Sequence, residues 1–192
     1  MKLLEERIVS EGRFIQPDIV KVDGFLNHRI DPILMEEIGK EIYRLFQDSG
    51  INKILTVEAS GIAMALEAAR YFRVPMVFAK KSRSVNVSNE VWTAKVYSFT
   101  HKNTNDIIVS KQYLEAGDKV LLVDDFLANG EALRGLISLC DQAGAQVAGC
   151  CAAIEKAFQP GGKELRERGY RVESLAAIEA IDPVTGAITF RH

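Results

Sequence analysis

The chain has 192 residues, 47% hydrophobic and 26% charged, which suits one globular domain with an ordinary core. Its net charge of −2 gives no electrostatic case for a nucleic-acid or membrane-surface partner. No apolar run approaches the ~20 residues needed to cross a bilayer, and MKLLEERIVSEG has acids among its apolar residues and no cleavage site, so a cytoplasmic location is expected.

Residues 2–10 place Leu3, Leu4 and Ile8 on one helical face, with Gly12 as the stop. Residues 14–15 and 19–22, including Val20, are short extended candidates broken by Pro17 and Gly24. Asp23-Gly24 then predicts a turn, with apolar Phe25 and Leu26 after it and Asn27 beside them. An amide offers donors and an acceptor, so Asn27 suits either the edge of a purine base or a turn bonding its own backbone. Asp31-Pro32 is a strong helix start, and Leu34, Ile38, Ile42, Leu45 and Phe46 keep helical spacing towards Gly50. A buried strand over 53–57 follows, then Glu58-Ala59-Ser60-Gly61 and a helix over about 62–72. Ser60 and Gly61 stand at a helix start, which suits an anion site or an ordinary serine cap.

A strand over 75–79 runs into the basic cluster Lys80-Lys81-Ser82-Arg83. Polar sequence to Asn89 precedes extended runs over 91–100 and 106–110, expected as an antiparallel pair. Such a charged segment reads as a solvated loop or as a mobile lid that brings cations to a leaving group. Trp92 is expected to pack.

The pivotal stretch is VLLVDDFLANGEA, residues 120–132. Apolar Val120, Leu121, Leu122 and Val123 run into the adjacent carboxylates Asp124 and Asp125. Ala128-Asn129-Gly130 form a small-residue loop before Glu131-Ala132, and Leu133, Leu136, Ile137 and Cys140 follow at helical spacing. Ligands of parallel α/β sheets bind beyond the carboxyl ends of strands, and a helix N-terminus with its free N–H groups suits a phosphate. Carboxylates beside a phosphate point to a ligand with neighbouring hydroxyls and to positive charge developing on a sugar, hence a ribose 5-phosphate site. The plainer alternative is a strand end that caps the next helix.

Residues 146–154 form another strand candidate, ending in Glu155-Lys156 with Phe158 and Gln159-Pro160-Gly161 behind. Lys156 thus stands at the same sheet edge as Asp124, where an ammonium suits a carbonyl oxygen or simply solvent. A short helix over 163–168 and strands over 170–178 and 187–191 complete the chain. Cys140, Cys150 and Cys151 lack metal or disulfide spacing and read as core residues, while His28, His101 and His192 are scattered, so no protein-bound metal site is expected. The alternation implies an α/β fold with a central parallel sheet flanked by helices, one domain over 1–192.

The stretch 120–132 resembles the phosphoribosyl-pyrophosphate (PRPP) motif of the type I phosphoribosyltransferases. Its Asp-Asp-Phe-Leu-Ala-Asn-Gly form, the string around Asn27-His28 and residues 155–161 resemble the small group of bacterial xanthine phosphoribosyltransferases. Many family members have Thr-Gly-Gly-Thr where this chain has Asn129-Gly130-Glu131-Ala132, which shifts 5-phosphate binding to backbone N–H groups. The resemblance implies the type I phosphoribosyltransferase fold. Residues 1–30 would be mainly a hood, joined by the C-terminal strands, over a core of 31–192, with a flexible β-hairpin lid.

By the same resemblance, PRPP and xanthine would give xanthosine 5′-monophosphate and pyrophosphate. Asp124 and Asp125 would be catalytic. Val20, Asn27, Lys156 and Phe158 would contact the base. Ala128, Asn129, Gly130, Glu131 and Ala132 would take the 5-phosphate. Glu58, Ala59, Ser60, Gly61 and Lys80 would manage the pyrophosphate with Mg²⁺. A homodimer is implied. Guanine or hypoxanthine as the base, and a non-catalytic PRPP or purine sensor regulating transcription, stand as alternatives.

Overall fold

The structure is a computed structural model and describes residues 1–15, 19–81, 90–98 and 103–192. Ser82, Arg83 and the polar sequence to Asn89, the Phe99-Thr100 end of the expected strand and His101 lie outside those residues. So, therefore, does the central part of the expected lid.

Helix α1 (Lys2–Glu11) buries Leu4 and Ile8 and precedes the antiparallel pair β1 (Arg13–Ile15) and β2 (Ile19–Lys21). Residues Asp23–Asn27 form one wide helical turn, more than the simple turn that Asp23-Gly24 predicts. Phe25 and Leu26 are fully buried, and Arg29 N–H donates to the Asp23 carbonyl at 2.8 Å, so the turn closes around an apolar anchor. Helix α2 (Pro32–Phe46) starts as predicted: Asp31 Oδ1 accepts from the N–H groups of Ile33 and Leu34, and proline fills the first position.

The chain continues through β3 (Lys53–Val57), α3 (Ile62–Phe72), β4 (Met76–Ala79), β5 (Val91–Ser98) and β6 (Asn103–Ser110). Then come β7 (Lys119–Leu127), α4 (Glu131–Ala143), β8 (Gln146–Lys156), α5 (Gly161–Glu167), β9 (Val172–Ile181) and β10 (Ile188–Arg191). The main sheet has six strands in the order β10-β9-β8-β7-β3-β4. Its members pair in parallel except β10, which is antiparallel to β9.

Strand alternation divides the core between the two faces. Leu121, Val123 and Cys151 share one cluster with Ile38 and Ile42 of α2, Met64 and Ala65 of α3 and the anchor Phe25-Leu26. Val120, Leu122 and Cys150 share the other with Leu133, Leu136 and Ile137 of α4. All three cysteine thiols are free and buried, and burial pushes Cys140 and Cys150 up to about 12. No helix among the described residues is long and apolar enough to cross a membrane.

Strands β5 and β6 form a two-stranded arm. Its base is docked: Lys80 and Ile108 exchange backbone hydrogen bonds, and Ala94, Ile107 and Val109 are buried. A Cβ on Gly135 of α4 would lie 2.4 Å from the Val96 side chain, so helix and arm pack at close range. Trp92 packs as predicted, donating from Nε1 to the Leu114 carbonyl at 2.9 Å.

Candidate active site

The site opens where two central strands part. β3 pairs with β7 only through Leu55 opposite Leu122, whereas β7 stays paired with β8 as far as Leu127 opposite Glu155. The strand therefore carries its carboxylates within the sheet instead of ending at them, and a crevice opens beside them. The chain also changes direction here, since β4 lies to one side of β3 and β7 and β8 to the other. This is the position where open α/β sheets bind ligands. The resulting cavity is about 520 Å³ and is walled by Asp124, Asp125, residues 128–133, Ser60 and Lys81 among others.

Asp124 and Asp125 are 4% and 8% exposed. Burial, followed by the neighbouring charge of Asp125, holds the Asp124 carboxyl well above the usual carboxylate range. The Asp125 N–H, donating to Asp124 Oδ1 at 3.0 Å, and the Lys81 ammonium oppose that shift. Asn27 reaches the pair from the N-terminal segment: its Nδ2 donates to Asp125 Oδ2 at 2.8 Å. The plainer alternatives for these residues are excluded. Asn27 spends its amide on a residue 98 positions away, and neither aspartate caps α4, whose N-terminus has no side-chain cap.

The loop between β7 and α4 is held from outside. Gly130 adopts φ +80°, a conformation that favours glycine. Arg134 donates to the Asn129 carbonyl at 2.6 Å, and Gly161 N–H donates to the Ala128 carbonyl at 3.0 Å. These bonds occupy the loop's carbonyls. The uncapped first-turn N–H groups at Glu131, Ala132 and Leu133 belong to residues in the cavity wall. Glu131 would repel an anion there, but its carboxylate is paired with Arg134. Sequence reasoning missed Arg134, although its position three residues after Glu131 is a standard helical pairing.

The Glu58–Gly61 segment divides. Glu58 and Ser60 line the cavity, while Gly61 packs against Thr56. Glu58 Oε1 accepts from the Lys81 N–H at 2.6 Å, which ties this loop to the end of β4. The Glu58–Ala59 peptide is cis. Ser60 does not cap α3, since Gly61 is the cap residue and no side-chain bond is made.

Lys80 is not among the residues that line this cavity. Its ammonium lies 6.0 Å from the Phe78 ring centroid, and among the described residues the cation in the cavity wall is Lys81. Strand alternation explains the swap, because Lys81 continues the side of β4 that carries Ala79.

The expected base contacts are only partly assembled. Asn27 stands at the acidic pair, but Val20, Lys156 and Phe158 lie outside the wall of this cavity. Val20 is the inward residue of β2, between exposed Ile19 and Lys21, and lines a separate cavity of about 90 Å³ with Ile8, Phe14 and Ile188. Lys156 is half-buried at the end of β8, and Phe158 is 43% exposed in the turn beyond. Next to Lys156, Glu155 is a buried charge that sequence reasoning missed. Both its oxygens accept from Arg166 at 2.7 Å, and Ser174 donates to it at 2.5 Å.

Among the described residues, no group of three or more His, Cys, Asp or Glu could by itself hold a metal ion. The model of the phosphoribosyl transferase domain matches residues 28–184. The chain belongs to the phosphoribosyltransferase family. It is 53% identical over 190 residues to the xanthine phosphoribosyltransferase of Bacillus cytotoxicus, covering 99% of this chain and 95% of that one. The Bacillus cereus protein of the same name is 52% identical with the same coverage.

Solved phosphoribosyltransferases share the fold. That of adenine phosphoribosyltransferase from Giardia lamblia superposes with a TM-score of 0.76 at 20% identity, covering 92% of this chain and 98% of that one. The Rhodothermus marinus enzyme gives 0.72 at 21% identity, covering 93% and 100%. The expected type I phosphoribosyltransferase fold is therefore the fold observed.

Proposed function

We propose that this phosphoribosyltransferase transfers the 5-phosphoribosyl group of PRPP to xanthine, giving xanthosine 5′-monophosphate and pyrophosphate. The observation that carries the reaction is the buried pair Asp124–Asp125 beside the uncapped N-terminus of α4. The choice of xanthine is supported by relatives of that name at 52–53% identity over nearly the whole chain.

In this reading the first-turn N–H groups of α4 take the 5-phosphate, and Asp124 and Asp125 accept hydrogen bonds from the ribose hydroxyls. A base nitrogen bonds to the anomeric carbon as the bond to pyrophosphate breaks, with inversion, and the proton on that nitrogen is released to solvent. The sugar then carries oxocarbenium-like positive charge, as in glycoside hydrolysis. Asp124 suits that moment. Burial disfavours its charged form and a positive ring favours it, so the carboxylate interacts more strongly with the transition state than with the substrate. Lys81 and Ser60 attend the pyrophosphate, with Glu58 holding the Lys81 backbone. In this reading Asn27, Val20, Lys156 and Phe158 contact the base.

Mg²⁺ fits this donor set as a passenger of the substrate. Two adjacent hard carboxylates face the cavity without forming a protein cage, and Mg²⁺ is commonly held by one or two carboxylates plus substrate phosphates. When bound, it neutralises charge on the leaving pyrophosphate. We take residues 1–192 as one domain acting in the cytoplasm as a homodimer, the latter supported by the exposed apolar side chains Ile33 and Leu66 on neighbouring helices.

The test is steady-state turnover with PRPP, Mg²⁺ and xanthine. Asp125→Asn is expected to lower turnover by at least about 100-fold with a smaller change in xanthine affinity. Turnover equal to wild type would remove the assigned role.

A further inference from the structure

Asn27 and Asp125 belong to opposite ends of the chain's architecture, one on the turn after β2 and one inside β7, yet they meet at 2.8 Å. A carboxylate only accepts, so the amide nitrogen must be the atom turned to Asp125. The bond engages Oδ2 alone. The turn that presents Asn27 is fixed by the fully buried Phe25 and Leu26 immediately before it. Asn27 therefore reaches the carboxylate from an anchored backbone. The other Asp125 oxygen, Oδ1, is the one Asn27 leaves for a ligand in the cavity that Asp125 lines.

We infer that Asn27 is a positioning residue for the ribose site: it fixes the rotamer of Asp125 before any base is present, in addition to meeting the base. This rests on the reading of Asp125 as a ribose-hydroxyl acceptor. A hydrogen bond to a charged group is stronger than a neutral one, and a carboxylate held in one rotamer costs less ordering when ligand arrives. With its nitrogen given to Asp125, Asn27 has its amide oxygen left for the base, so a single side chain would join base recognition to ribose recognition.

The experiment is calorimetric titration of Mg·PRPP into base-free protein. A residue that touched only the base would not affect this affinity. Asn27→Leu is expected to weaken Mg·PRPP binding about tenfold. The isosteric Asn27→Asp, which keeps shape but sets an acceptor against an acceptor, is expected to weaken it further. In an Asp125→Asn background, Asn27→Leu should add little, because the two act through one contact. Equal affinity for wild type and Asn27→Leu, with Asp125→Asn weakened, would overturn the inference and leave the ribose site standing. Unchanged affinity in Asp125→Asn, or no binding by wild type, would instead overturn the reading beneath it.

Discussion

Asp124 shows what the site costs the fold. Its carboxyl sits above its unfolded value because burial, then Asp125, disfavours charge. The folded state thus binds a proton that the unfolded state releases. The stabilisation is present below the unfolded carboxylate pKa and is lost as pH rises through the folded one. Asp124→Asn keeps the oxygen that accepts from the Asp125 N–H and removes the charge. It is expected to raise the melting temperature of the ligand-free protein by about 2–4 °C at pH 8, with little gain at pH 4, while turnover falls about 100-fold or more. Scanning calorimetry at both pH values and a turnover assay check this. The acidic pair was legible in the sequence because two adjacent acids after an apolar strand need a chemical reason. The choice between Lys80 and Lys81 was not, since a parity error of one residue turns a side chain to the other face.

Elements hold the loop over which the phosphate is proposed to sit. The first residue of α5, Gly161, touches the loop before α4: a Cβ there would lie 2.4 Å from the Gly130 nitrogen and 2.5 Å from the Ala128 carbonyl oxygen. Both are backbone atoms and cannot move without shifting the loop. Gly161→Ala is expected to raise KM for PRPP about tenfold while KM for xanthine changes little, measured by varying each substrate at fixed excess of the other. The strands and helices were readable from apolar periodicity and from caps such as Asp31-Pro32. Their mutual contacts were not. Nothing local to Gly161 marks its approach to Gly130, and nothing local to Gly135 marks the docking of the β5–β6 arm.

Across the whole molecule, Glu155 ties the end of β8 to the far edge of the sheet. It is 1% exposed on β8 and joins Arg166 of α5, Ser174 of β9 and Arg191 of β10. Burial alone pushes its carboxyl up, but the bonds from Arg166 and Ser174 with the arginine charges together hold it below the usual range. Its stabilising contribution is therefore present above the unfolded carboxylate pKa and lost as pH falls through the folded one. Arg166→Ala leaves a buried carboxylate short of its main partner and is expected to cost about 2–3 kcal/mol at pH 7, less at pH 4, by urea unfolding. Sequence reading placed Glu155 in a motif but could not see that it is buried, because its partners come from three later elements. The central claim concerns the whole assembly of crevice, acidic pair and hood, and one assay addresses it most directly. The protein is given PRPP, Mg²⁺ and equal xanthine, guanine and hypoxanthine, and each nucleotide is quantified with the pyrophosphate released. Xanthosine monophosphate should dominate with matching pyrophosphate. Predominance of the guanine or hypoxanthine nucleotide, or no nucleotide at all, would contradict the account.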